Sequence, residues 1–207
     1  VNSVTKAVTE SWYYAGEDGA VLKGGYKTIG DGAAENTAAT ERTYYFDANG
    51  LNYRKRWITD NNGEKRYMGD DGAMKKKEWF VISGLDSRNS DYNNWYYAGR
   101  GGYVRMDGWY KIDGQYYCFN TSGVMRTGWL TESADDEEDE DSYYYCGQDG
   151  ARVTGWQWLE IPQSWMDNSD VADYVQDHGQ YAYFYFSKSS GNKKRSSSGK
   201  KEVKVDG

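Results

Sequence analysis

The chain has one proline, two cysteines and one histidine in 207 residues, and it is short of the aliphatics that fill most cores, with five Leu, five Ile and 12 Val. Each scarcity excludes a class. Zinc sites draw on about four Cys or His ligands at close spacing, whereas Cys118, Cys146 and His178 stand 28 and 32 residues apart, so no metal ligand set exists and no cofactor is called for. A basic footprint is missing too: 25 Lys and Arg face 32 Asp and Glu, for a net charge of −7 and a pI near 4.9. That balance disfavours nucleic acid as a partner. No run approaches the roughly 18 apolar residues of a membrane helix, so membrane insertion is not expected. The opening Val1-Asn2-Ser3 carries neither initiator Met nor hydrophobic leader, which reads as a processed or excised fragment, with any signal peptide removed or outside it.

What is present instead is rings: nine Trp, 21 Tyr and five Phe. A mean hydropathy of −0.98 and few branched aliphatics ordinarily mark a disordered chain, yet disordered chains are poor in aromatics and rich in Pro. An ordered structure with a thin core built from rings follows. A large enzyme core does not.

The rings recur at fixed offsets from a glycine. WYYAGEDG ends at Gly19, TYYFDANG at Gly50, KRYMGDDG at Gly72, WYYAGRGG at Gly102, YYCFNTSG at Gly123 and YYYCGQDG at Gly150. Six or seven residues after each anchor stands another aromatic: Tyr26, Trp57, Trp79, Trp109, Trp129 and Trp156. A degenerate seventh copy, AYFYFSKSSG, ends at Gly191. Such self-similarity marks a stacked repeat architecture. Within a unit, Trp109-Tyr110-Lys111-Ile112, then Asp113-Gly114, then Gln115 to Phe119 is two strands around a D-G hairpin turn. A lone hairpin is marginal in water, so about six must stack and share aromatic faces.

The expected class is therefore all-β, a β-solenoid of hairpin repeats. The long anchor spacings place extra residues inside hairpins, at about 30–42, 84–94, 132–142 and 160–181. The expected organisation is an N-terminal segment 1–11, a repeat array 12–158, a long loop with the degenerate copy 159–191, and a Ser, Lys and Gly-rich tail 192–207. The stretch from Ser187 to Lys201 reads as mobile. The last six residues, EVKVDG, match Trp109 to Gly114 in position and end where a second strand would begin. No helix is expected, the best candidate, Asp167 to Asp177, being short and acidic.

The segment GWYKIDGQYYCFNTSGVMRTGW, from Gly108 to Trp129, resembles the cell-wall-binding repeat of Gram-positive bacteria, of the choline-binding type, related to glucan-binding and clostridial toxin repeats. The resemblance covers residues 12 to about 158, strongly in three units and in degraded form elsewhere. It implies a left-handed β-solenoid, secretion to the cell surface, and choline head groups caged by the Gly-Trp Trp, the first aromatic of the triplet and the next unit's Trp. It also implies a choline-bearing teichoic acid or another wall polysaccharide as partner, and pairing of two copies through terminal units. The cage makes physical sense. A quaternary ammonium donates no hydrogen bond, so ring faces supply the attraction, about 0.5–1 kcal/mol each when exposed and about 2 when desolvated. Sites this weak require repetition to hold a surface.

Carried over position by position, the first-aromatic place is filled by Trp12, Thr43, Lys65, Trp95, Tyr116 and Tyr143. Thr43 offers no ring and Lys65 sets a like charge where a cation would sit, so N-terminal cages should be missing or altered. The resemblance leaves three cages, Trp79/Trp95/Trp109, Trp109/Tyr116/Trp129 and Trp129/Tyr143/Trp156. The family's Met stands as Met74 and Met125, replaced elsewhere by Val21, Asn52, Val104 and Arg152. Arg152 weakens the last cage. The implied ligand-binding set is thus Trp79, Trp95, Trp109, Tyr116, Met125, Trp129, Tyr143 and Trp156, while Tyr14, Tyr45, Tyr97 and Tyr117 read as packing rings.

Other candidate chemistry is weaker. The acidic run Glu132 to Asp141 lacks the EF-hand's central Gly and terminal Glu, and Asp167 to Asp170 fails the same test; both read as solvated loops. Paired acids for glycoside hydrolysis need a rigid scaffold, and these lie on loops. His178 has no nucleophile nearby in sequence and reads as a surface histidine. Cys118 and Cys146, five and four residues before their anchors, should point to opposite strand faces, which leaves a disulfide open without favouring it. The chain reads as a non-catalytic binding module for choline-decorated wall polymer or carbohydrate. Two alternatives stay open: an adhesion array with decayed cages that contacts a protein through its enlarged loops, and the anchoring fragment of a larger hydrolase or toxin.

Overall fold

The structure is a computed structural model that describes residues 11–30, 41–83, 93–131 and 143–193. Among the described residues twelve strands pair as six antiparallel hairpins, each its own two-stranded sheet. They are β1 (Gly25–Gly30) with β2 (Glu41–Phe46), β3 (Arg56–Thr59) with β4 (Lys65–Met68) and β5 (Glu78–Ser83) with β6 (Asn93–Ala98). Then follow β7 (Gly108–Ile112) with β8 (Gln115–Phe119), β9 (Gly128–Thr131) with β10 (Tyr143–Cys146), and β11 (Gly155–Glu160) with β12 (Tyr181–Phe186). Residues 1–105 and 106–207 form two compact units of three hairpins each. The all-β hairpin array expected from the repeats is the observed fold.

The Asp113-Gly114 turn has both residues at positive φ, 47° and 91°, the backbone that lets a two-residue hairpin follow strand twist. Each anchor glycine closes the turn after a hairpin: Gly50 N–H donates to the Asp47 carbonyl, Gly123 to Asn120 and Gly150 to Gly147. The residue two places on then bridges back to the strand end, as in Phe46 with Asn52, Met68 with Met74 and Cys146 with Arg152. Its N–H reaches the preceding coil, Met74 donating to Thr43, Val104 to Lys65, Arg152 to Tyr116 and Lys193 to Tyr143. This bond is the rung that stacks one repeat on another within a unit.

The anchors are glycine for two reasons. Their φ is positive, and a Cβ on Gly50 would come within 2.6 Å of Val21 Cγ1; Gly72, Gly150 and Gly191 meet Asn52, Met125 and Arg152 in the same way. Within each unit the side chain two places after one anchor thus lies under the next anchor. The core is equally periodic. Phe46, Met68 and Ala98 in the first unit, and Phe119, Cys146 and Phe186 in the second, each end a second strand and are fully buried. In the first unit, Tyr67 and Phe80 stack at 5.3 Å and Phe80 and Tyr96 at 5.4 Å.

The structure corrects three expectations. Cys118 and Cys146 enter one buried cluster with Leu130 and Tyr144, as free thiols, instead of facing apart. Cys146 ends β10 opposite Gly128 and Cys118 lies one step inside β8 opposite Trp109, so different positions of neighbouring hairpins converge on one space. Ser187, assigned to a mobile tail, is 1% exposed, and its carbonyl accepts the Gly191 N–H, so the seventh copy closes as a regular turn. The candidate helix forms as α1 (Ser169–His178), because Asn168 Oδ1 caps the Asp170 N–H at 3.0 Å and Gly179 ends it at φ 87°. The acidic run 132–141, the N-terminal segment 1–10 and the tail beyond 193 lie outside the described residues.

Candidate functional site

Alternation along a strand puts every second side chain on one face. On β11–β12 this face carries Trp156 opposite Tyr185 and Trp158 opposite Tyr183. Trp156 is 51% exposed, Trp158 54% and Tyr183 68%, and the Trp158 ring lies 4.6 Å from Tyr183. On β5–β6 the corresponding face sets Trp79 opposite Tyr97 and Val81 opposite Trp95, with Trp95 44% exposed. Trp79 rests edge-on against Tyr97 at 5.1 Å and borders a cavity of about 500 Å³ with Tyr67, Asp70 and Lys75. Trp109, the third member of the cage drawn through Trp79 and Trp95, belongs to the second unit.

In that second unit, Trp109 packs on Tyr144 at 5.0 Å, and the Arg152 guanidinium lies 4.3 Å above Tyr116, 5.6 Å from Trp109 and 5.9 Å from Tyr144. Tyr116 and Trp109 thus share one cation that the chain itself supplies. Trp129 is drawn into a different cluster. Tyr143, Tyr145, Phe184, Phe186 and Trp165 surround it at 4.9 to 6.4 Å, and its indole N–H donates to the Glu160 carbonyl at 3.0 Å. Trp165 comes from the insertion between β11 and β12, in a 3-10 turn over Gln163–Trp165. It stands 5.0 Å from Tyr143, with Lys193 Nζ 5.3 Å above it. A cavity of about 420 Å³ opens there, bounded by Tyr143, Trp165, Asp167, Asn168 and Lys193. Trp156 makes its ring contact with Tyr185 and none with Trp129 or Tyr143. Met125 lies under Gly150.

At the degraded N-terminal positions other chemistry has moved in. Thr43 is buried, shares a 3.1 Å hydroxyl contact with Thr28 and accepts a 2.7 Å bond from Lys76 Nζ. Arg54 lies 4.6 Å over Trp12. Of the thiols, Cys146 is pushed up to about 12, first by burial and then by Cys118 nearby, and burial raises Cys118 as well. Neither is poised as a nucleophile. Among the described residues no group of His, Cys, Asp and Glu is placed to hold a metal ion, and no helix is long and apolar enough to cross a membrane.

Residues 106–155, which contain the Trp109, Tyr116 and Trp129 positions, match the family model described as the choline-binding repeat. In sequence these residues are similar to choline-binding repeats. Over a wider span the chain is 28% identical to Glucosyltransferase-S of Streptococcus mutans, across 84% of the chain and 12% of that protein. It is 26% identical to a putative endo-beta-N-acetylglucosaminidase of Streptococcus pneumoniae, across 56% of the chain and 14% of that protein. The crystal structure of the choline-binding domain of CbpL from Streptococcus pneumoniae superposes with a TM-score of 0.46 at 19% identity, over 89% of this chain and 72% of that one. The chain spans about an eighth of the length of the curated relatives named here.

Sequence reasoning missed Trp165, Trp158, Tyr183 and Lys193 as site residues. Trp165 lies in an insertion with no repeat register to flag it. Trp158 and Tyr183 were detectable, since both alternate with Trp156 and Tyr185 at the strand period of two.

Proposed function

We propose that the chain is a non-catalytic, cell-surface binding module that attaches to a polysaccharide through outward-facing rings, using Trp79, Trp95, Tyr116 and Trp156 of the expected set, together with Trp158 and Tyr183. Trp109, Met125, Trp129 and Tyr143 are taken up instead by contacts inside the second unit, with Tyr144, Gly150 and Trp165. The observation that carries this reading is the open row Trp156, Trp158 and Tyr183 on one hairpin face. Flat, half-exposed rings complement the apolar faces of sugar rings, whereas a small cation needs rings on several sides. A glucan or wall glycan is the favoured ligand, in keeping with the glucosyltransferase relative.

Choline-bearing wall polymer is the second reading, favoured by the repeat match over residues 106–155. The test is retention of the full chain on dextran, on purified Gram-positive wall and on a choline-type amine resin, with calorimetry for whichever retains it. Retention on dextran or wall that falls sharply in W158A/Y183A supports the first reading. Retention on the amine resin alone replaces it with the second, and no retention on any of the three removes both.

A further inference from the structure

The residue two places after the anchor is apolar in four units, Val21, Met74, Val104 and Met125, but it is Arg152 in the unit anchored at Gly150. The fold delivers its side chain to one place. The Arg152 N–H donates to the Tyr116 carbonyl at 2.8 Å, Cys146 bridges it from the strand end, and the chain of methylenes runs beneath Gly191, where any Cβ would strike Arg152 Nε. The guanidinium then emerges among Tyr116, Trp109 and Tyr144. Its Nε is buried and has no hydrogen-bond partner. A buried cationic donor without an acceptor is costly unless something else answers the charge, and ring faces are what this site offers. The next copy repeats the arrangement: the Lys193 N–H donates to the Tyr143 carbonyl at 2.7 Å and its ammonium lies over Tyr143 and Trp165.

We infer that Arg152 is a tethered ligand: its guanidinium occupies the ring cage of Trp109, Tyr116 and Tyr144, excludes an external quaternary ammonium from it, and makes that cage independent of any free cation. The inference rests on reading the array as a ring-based binding module, and it assigns Arg152 as the residue that decides what this cage accepts. A tethered group competes at an effective concentration of millimolar or more, so a weak external cation does not displace it.

The decisive variant is R152M, which installs the residue found at the equivalent positions 74 and 125. The full chain as wild type, R152M and R152K is titrated by calorimetry with choline chloride to about 50 mM, a range that covers sites of millimolar affinity. R152M binds one more choline per chain than wild type, and R152K, which keeps a cation, binds no more than wild type. Equal stoichiometry in R152M and wild type overturns the inference. If R152M does not fold alone, recovery of its hairpin circular dichroism in choline supports the tether, and no recovery counts against it. An independent readout uses wild type alone: ring currents shift the Arg152 Hε and Hδ resonances upfield of other arginines, and ordinary positions for both refute the cage. Polymer retention of wild type is measured alongside. Lost retention with an extra choline site in R152M removes the broader function and leaves the tether, whereas intact retention without that extra site removes the tether alone.

Discussion

Gly50 and Gly63 close the same kind of turn, and only one of them faces another repeat. The Gly50 N–H donates to the Asp47 carbonyl and that of Gly63 to the Asp60 carbonyl, both at 3.0 Å, with φ of 88° and 81°. The flanking carboxylates match too: Asp47 Oδ1 accepts from Asn49 and Leu51, and Asp60 Oδ1 from Asn62 and Glu64. An alanine in left-handed backbone costs about 1–2 kcal/mol at either place. At Gly63 nothing lies within 4 Å of the new methyl, but at Gly50 it meets Val21 Cγ1 at 2.6 Å and the Leu22 carbonyl at 3.1 Å. Overpacking adds about 1–3 kcal/mol. G63A should therefore lose about 1–2 kcal/mol and G50A about 2–5, which at a slope of about 2 kcal/mol per molar urea lowers the midpoint by about 0.5–1 M and about 1–2.5 M. Urea unfolding followed by tryptophan fluorescence measures both. Because Val21 supplies the nearer obstacle, V21A/G50A should be less destabilised than the sum of its single variants. Equal losses in G50A and G63A, or strict additivity in the double variant, would falsify the claim that close approach between coils is what selects glycine at the anchors.

Removing one turn carboxylate in D47A strands the Asn49 and Leu51 N–H groups and should cost about 1–3 kcal/mol, read by the same unfolding curves. N168A should cost about 1 kcal/mol of helix stability; since α1 buries no residue, circular dichroism should lose helical signal while tryptophan fluorescence stays unchanged. Cys146 and Cys118 have folded-state pKa values raised above their unfolded ones. The unfolded chain therefore releases these protons first, so stability is complete below about pH 9 and falls as pH rises toward the folded value of Cys146, about 12. Thiol labelling at pH 8 should be slow in the folded chain and fast in urea, and rapid labelling of native protein would contradict the burial.

The hairpins and their anchors were legible because register repeats: a glycine, a strand of rings and a turn residue at constant offsets leave a trace in the sequence. Contacts between coils were not. Arg152 was assigned to the last cage by its nearness to Trp156 in sequence, but the rung bond returns it to Tyr116, in the preceding coil, so its cation sits one cage earlier. Trp165 was invisible for a different reason. It reaches Trp129 and Tyr143 from an insertion, where no periodicity constrains position. The meeting of Cys118 and Cys146 in one cluster was missed because face alternation was counted from the anchors, whereas the convergence depends on how adjacent hairpins lie.

Extra length in this chain falls between the paired strands of a hairpin, at 31–40, 84–92, 132–142 and 161–180, while the seam from anchor glycine to the residue two places on keeps its count. Growth and stacking are therefore decoupled. A lineage can lengthen or recharge the segment between two paired strands without altering that seam, except at 161–180, where Trp165 packs on Trp129 and Tyr143 of the preceding hairpin. The second strand-to-turn segment offers no such freedom, since one inserted residue there moves a glycine off its neighbour and places a side chain in its stead.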